Sequence, residues 1–148
     1  MLMRKRRGIA GRILANWRAG RMQQTLAAAT ALTAPPLAFE IYLEHYKGSF
    51  GDKWMWTPVF LTPPLAAAGI AGVVSERAAR TVLPAVSALY CLDGIVGLIT
   101  HLQGIRKKPG GFSEPTYNLV MGPPLLAPGA LLLVGAFGLV APLFARER

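Results

Sequence analysis

The chain has 148 residues, 53% of them hydrophobic, with a mean hydropathy of +0.39 and a net charge of +9. That length allows one domain, and that hydropathy is high for a water-soluble globule. The cations flank apolar runs and form no stripe, which argues against nucleic acid as partner, and the lone Cys91 rules out a disulfide framework or a Cys-rich metal knuckle.

Residues 1–21 carry seven cations: Arg4, Lys5, Arg6, Arg7, Arg12, Arg18 and Arg21. This basic stretch is too long for a cleavable signal peptide, and no small-residue cleavage site follows a short apolar core. Ile9, Ile13 and Trp17 recur at four-residue spacing. That predicts an interfacial helix on an anionic inner leaflet, in competition with a solvated tail that only sets topology. Beyond it, no formal charge lies between Arg21 and Glu40, between Lys53 and Glu76, or between Glu114 and Arg146, and Asp93 is alone between Arg80 and Arg106. About 20 helical residues cross a hydrocarbon core. Residues 22–148 are therefore predicted to form an all-α, polytopic four-helix membrane bundle, with spans roughly at 23–45, 55–75, 82–104 and 119–144.

The first span holds Pro35-Pro36-Leu37 and Glu40, and ends at Glu44, His45 and Lys47. The second follows Trp54 and Trp56 and holds Pro63-Pro64-Leu65. The third carries Asp93, Gly94 and Gly97 before His101, and Arg106, Lys107 and Lys108 follow it. The fourth opens at Tyr117 and Asn118, a candidate helix cap, and holds Pro123-Pro124-Leu125. Tyr42, Tyr46, Trp54, Trp56 and Tyr117 read as an interfacial aromatic belt. The order His45-x-x-Gly48, Gly48-x-Phe50, aromatic, Pro63-Pro64-Leu65 is matched by His101-x-x-Gly104, Gly110-x-Phe112, aromatic, Pro123-Pro124-Leu125. This predicts a tandem repeat of two helical hairpins about an axis along the membrane normal. Gly and Ala in spans two to four favour close helix approach.

Eleven of the sixteen Lys and Arg fall on the side of the termini, which places both termini in the cytoplasm, in what reads as a bacterial plasma (inner) membrane. His45 and His101, the only histidines, then share the outer face. They lie 24 and 21 residues from the preceding basic boundary, so their depths differ by only about 5 Å. Two imidazoles at one depth can supply both axial ligands of a b-type haem. Gly94 and Gly97 would leave a flat strip for the porphyrin or, alternatively, for helix packing. Lys47, Lys53, Arg106, Lys107 and Lys108 would meet propionates or an acidic partner. A zinc or copper site would draw on His45, His101 and Glu44. Glu40 and Asp93 are intramembrane carboxylates and functional candidates by default. No nucleotide, phosphate-loop, zinc-protease or serine-nucleophile motif is present, and the short loops leave no room for a soluble catalytic domain, so the sequence leans away from an enzyme. The expectation is a small accessory or anchor subunit of a membrane complex, in its sharper form an electron-transfer subunit holding one bis-histidine haem b. The alternative is a small transporter or channel-like protein with Asp93 and Glu40 on its path.

Overall fold

The computed structural model describes residues 20–146, together with Gly11, Leu14 and Ala15. Ile9, Ile13 and Trp17, which carry the expectation of an interfacial helix, lie outside the described residues, as does Arg148. The described residues form helices α1 (Met22–Lys47), α2 (Thr57–Val74), α3 (Glu76–Arg80), α4 (Val82–Arg106), α5 (Pro115–Val120) and α6 (Leu126–Val140), with 3-10 turns at Lys53–Trp56, Gly111–Ser113 and Ala141–Leu143 and no strand. With their flanking turns, four segments are long and apolar enough to cross a membrane: Met22–Lys47, Lys53–Val74, Glu76–Arg106 and Leu126–Leu143.

The arrangement follows from where small side chains sit. On α1 the buried residues are Gln23, Ala27, Thr30, Ala34, Ala38 and Ile41, a single stripe at spacings of three and four. On α4 they include Leu83, Ser87, Tyr90 and Gly94. Large apolar side chains point outward instead: Phe60 is 70% and Leu126 88% exposed. Contiguous apolar surface of this kind is unfavourable in water and is what hydrocarbon accepts. With so few large residues inside, the helices gain stability from close approach. A Cβ on Gly69 of α2 would lie 2.9 Å from the Ala27 carbonyl and the Ala31 amide of α1. A Cβ on Gly138 of α6 would lie 3.0 Å from Leu83 Cδ1 and from Ser87 Cβ of α4. Extended packing therefore joins α1 to α2 and α4 to α6, and the two hairpins close through α2 with α4 and α1 with α6. The first and third spans face each other across the diagonal of this bundle.

The end that holds the termini is tied by polar groups reaching backbone. Gln23 Nε2 donates to the Phe144 carbonyl and Gln24 Nε2 to the Val73 carbonyl, each at 3.2 Å, and the Arg146 guanidinium donates to the Gly72 carbonyl. In the short link between the second and third spans, Ser75 Oγ accepts from the Ala78 amide and caps α3.

Two sequence expectations are corrected here. The fourth span does not begin at residue 119. Helix α5 stops at Val120, residues 121–125 leave the helix, and α6 starts at Leu126. Pro35-Pro36 and Pro63-Pro64 are accommodated inside α1 and α2 with their rings on the exposed face, whereas Pro123-Pro124 stands in the non-helical stretch. At the break, Gly122 comes so close to the Asn118 carbonyl that a Cβ there would sit 2.2 Å away, an approach that only glycine allows. Asn118 is also not the cap of the fourth span. It is buried within α5, and its Nδ2 donates to the carbonyls of Pro109 (2.9 Å) and Gly111 (2.7 Å), locking the loop after α4.

The close seams predict a graded response to added methyl groups. Gly69→Ala is expected to cost about 1–3 kcal/mol through overpacking, while Gly129→Ala, with no atom within 4 Å of the new Cβ, is expected to be neutral or slightly stabilising. Thermal unfolding in detergent measures both. Equal effects would show that the α1–α2 seam is looser than described.

Candidate functional site

His45 and His101 both continue the buried stripes of their helices. His45 stands four residues beyond Ile41, and His101 stands seven beyond Gly94 and four beyond Gly97. The stripes carry the two rings toward each other across the bundle's diagonal, and their centres lie 6.5 Å apart with planes inclined at 78°.

Each ring is held by a backbone carbonyl at the start of the next span. His45 Nδ1 lies 2.8 Å from the Met55 carbonyl, in the 3-10 turn leading to α2. His101 Nδ1 lies 2.7 Å from the Pro124 carbonyl, in the non-helical stretch before α6. A carbonyl only accepts, so Nδ1 is the protonated nitrogen in both rings. In the neutral imidazole Nε2 is then a bare lone pair. The second bond answers a structural need: irregular backbone in an apolar environment persists only where its polar groups are satisfied or face a cavity. Gly104 serves the same junction, since a Cβ there would sit 2.9 Å from Pro123 Cγ.

Both histidines line a cavity of about 430 Å³, within the usual range for ligand sites of about 300–1,000 Å³. Its polar lining includes Glu44, Asp52, Thr57 and Asp93, and its apolar wall includes Ile41, Val96, Ala127 and Leu131. It contains no Lys or Arg. The three carboxylates differ in their partners. Glu44 pairs with Lys47. Asp52 accepts from the Trp54 amide at 3.0 Å. Asp93 accepts from the Thr57 hydroxyl through Oδ1, while its Oδ2 is buried and has no hydrogen-bond partner. Below it, Tyr90 OH and Thr62 Oγ1 are 3.1 Å apart, and Thr62 donates to the Pro58 carbonyl.

The other sequence candidates fall elsewhere. Glu40 is exposed and outside the lining, so it shares no site with Asp93. Gly94 and Gly97 serve helix packing: a Cβ on Gly94 would lie 3.0 Å from Leu132 Cγ and 3.1 Å from the Pro128 carbonyl, and one on Gly97 3.1 Å from Pro128 Cβ. Gly97 still borders the cavity. Arg106, Lys107 and Lys108 stand outside the lining and in no ion pair among the described residues. Part of the aromatic belt braces the first loop, where Phe50 stacks on Trp56 at 3.9 Å, lies 5.4 Å from the tilted ring of Tyr42 and meets His45 edge-on at 6.0 Å. That stacking offsets the positive φ of Ser49 (57°) and Phe50 (46°), an unfavourable conformation for side-chain-bearing residues. Sequence reasoning missed Thr57 and Met55, which carry no motif. It found Asn118 but gave it the wrong partner.

Among the described residues, no group of three or more His, Cys, Asp or Glu is placed to hold a metal ion. What the arrangement offers is a largely apolar chamber with two bare imidazole nitrogens and one carboxylate oxygen unpartnered.

The carbonyl lock predicts that His101→Ala strips Pro124 of its donor, at a cost of about 0.5–1.5 kcal/mol, and speeds amide exchange at Leu125 and Leu126, whereas His101→Gln, which keeps an N–H donor, restores protection. Hydrogen exchange read by mass spectrometry checks this, and unchanged protection in His101→Ala would remove the lock. Comparison of the chain with protein-family models, with curated proteins and with solved structures finds no match, so the reading of the site rests on its own geometry.

Proposed function

We propose that this is a small integral-membrane protein whose histidine-bearing end receives a cationic ligand, acting either as the binding subunit of a larger membrane complex or as a small carrier. One observation carries the reading: two imidazoles and three carboxylates line one chamber that has no Lys or Arg, although the chain as a whole is strongly basic. With Glu44 already paired and Asp52 at the mouth, Asp93 supplies the charge at depth. A carboxylate in such a setting attracts a cation and disfavours an anion, and the effect grows as water is excluded.

Haem b is the less favoured occupant. The separation of the two histidines suits a shared axial ligation, but the propionates of a haem would meet Glu44, Asp52 or Asp93 and no lining cation. The strip at Gly94 and Gly97 is covered by Pro128 and Leu132. The basic residues Arg106, Lys107 and Lys108 are better suited to an acidic partner protein docking on the outer face, since two of the three are exposed and none enters the chamber.

The cytoplasmic placement of both termini rests on the eleven-to-five distribution of Lys and Arg. It is checked by a reporter fused to the C-terminus that is active only in the cytoplasm. A parallel repeat is supported by one shared device, an imidazole at the end of an odd-numbered span bonded to the backbone at the start of the next. It is weakened by the different fates of Pro63-Pro64 and Pro123-Pro124 and of Gly48 and Gly104.

Binding of two lipophilic ions of matched shape tests the central proposal. Purified protein is expected to bind tetraphenylphosphonium in preference to tetraphenylborate, and Asp93→Asn to weaken the cation by about tenfold, or about 1.4 kcal/mol. The reduced protein from haem-replete cells is expected to lack b-type bands. Preference for the borate, or bands that vanish in His45→Ala and His101→Ala, would reverse the ranking.

A further inference from the structure

We propose that His45 and His101 form a two-coordinate site for a single monovalent d10 metal ion, of which copper(I) is the biological example. This rests on reading the chamber as a cation receptor and names the cation.

The donor set is fixed by the backbone. Both Nδ1 protons are committed to carbonyls, Met55 for one ring and Pro124 for the other, which leaves Nε2 as the donor atom in each. Carbonyl bonding of the distal ring nitrogen is the arrangement that orients metal-bound imidazoles and raises their basicity. Distance then decides the coordination number. With metal–nitrogen bonds of about 2.0 Å and a ring radius of about 1.1 Å, two imidazoles on one ion have centres roughly 6.2 Å apart when trans and roughly 5 Å apart at a tetrahedral angle. The observed 6.5 Å lies next to the trans value. A trans pair with nothing else suits a soft d10 ion.

The surroundings supply no third hard ligand. Zinc asks for four donors and calcium or magnesium for a cage of oxygens. Among the described residues no third His, Cys, Asp or Glu stands with this pair to hold a metal ion, and Asp93 acts through its charge. Glu44 is held by Lys47. Cys91 is outside the lining. The apolar wall of Ile41, Val96, Ala127 and Leu131 keeps water from completing a higher coordination shell.

Silver(I) is the redox-inert probe, used on the Cys91→Ser chain because a free thiol would take it. Titration of the detergent-purified protein is expected to give one ion per chain, with affinity lowered by at least about 100-fold in His45→Gln and in His101→Gln. Glutamine keeps an N–H for the Met55 and Pro124 carbonyls and removes the imidazole donor. X-ray absorption of copper(I) bound to the same Cys91→Ser chain is expected to show a first shell of two nitrogens, and it decides the matter alone if either Gln variant fails to fold. A shell dominated by sulfur, or silver binding unmoved by both substitutions, would overturn the site. Failure of the Cys91→Ser chain itself to bind silver, with tetraphenylphosphonium still bound, would remove the metal and leave the cation chamber standing. Failure of that chain to bind either ion would remove the two together.

Discussion

Backbone carbonyls left over where a helix breaks or has not yet begun need donors, and this constraint shapes the histidine end of the bundle. Paired prolines remove two N–H groups and disturb the helix around them. In α1 and α2 the helix continues through such pairs. At Pro123-Pro124 it does not, and α6 begins only at Leu126. The Pro124 carbonyl takes His101 instead. The Met55 carbonyl takes His45 in the same manner. A hydrogen bond of this kind contributes about 0.5–1.5 kcal/mol net, so each imidazole is fixed by a contact unrelated to any ligand. The chemical consequence follows directly, because fixing the proton on Nδ1 leaves Nε2 open on both rings.

The same constraint makes the chamber. Along most of their length the helices touch through glycine and alanine, and no room remains between them. Toward the histidines, the late start of α6 replaces a helical wall with Pro123 and Pro124, and the first loop contributes Asp52, Trp54 and Met55. Stability and a ligand site are thus divided along the bundle axis. Tight seams and the Gln23, Gln24 and Arg146 contacts hold the end that carries the termini. The open end is held by two imidazoles, the amide of Asn118 and an aromatic stack around Phe50.

Much of this layout is legible in the sequence. Gaps between charges mark the four long apolar helices, because a charge in hydrocarbon is costly enough to be rare. Counting residues from the basic boundaries places the histidines at similar depth, and Gly94 and Gly97 stand seven and four residues before His101 on its own face. Other features are hidden. Whether a glycine faces a ligand or a neighbouring helix depends on what stands opposite, and only the fold puts Pro128 and Leu132 against Gly94. Glu40 and Asp93 look alike as isolated intramembrane acids, yet one is on the outer surface and the other has an orphaned oxygen inside. The break at residues 121–125, where Gly122 closes on the Asn118 carbonyl, is concealed by the three identical Pro-Pro-Leu tripeptides.

The account turns on the state of two imidazoles, and nitrogen-15 NMR of the protein labelled only at histidine reads it directly. Both His45 and His101 are predicted to give a protonated Nδ1 and an unprotonated Nε2 at neutral pH, with the Nε2 resonances alone moving when silver(I) is added. A proton on Nε2 in either ring, or a signal averaged between the two tautomers, would contradict the carbonyl lock and with it the chamber's chemistry.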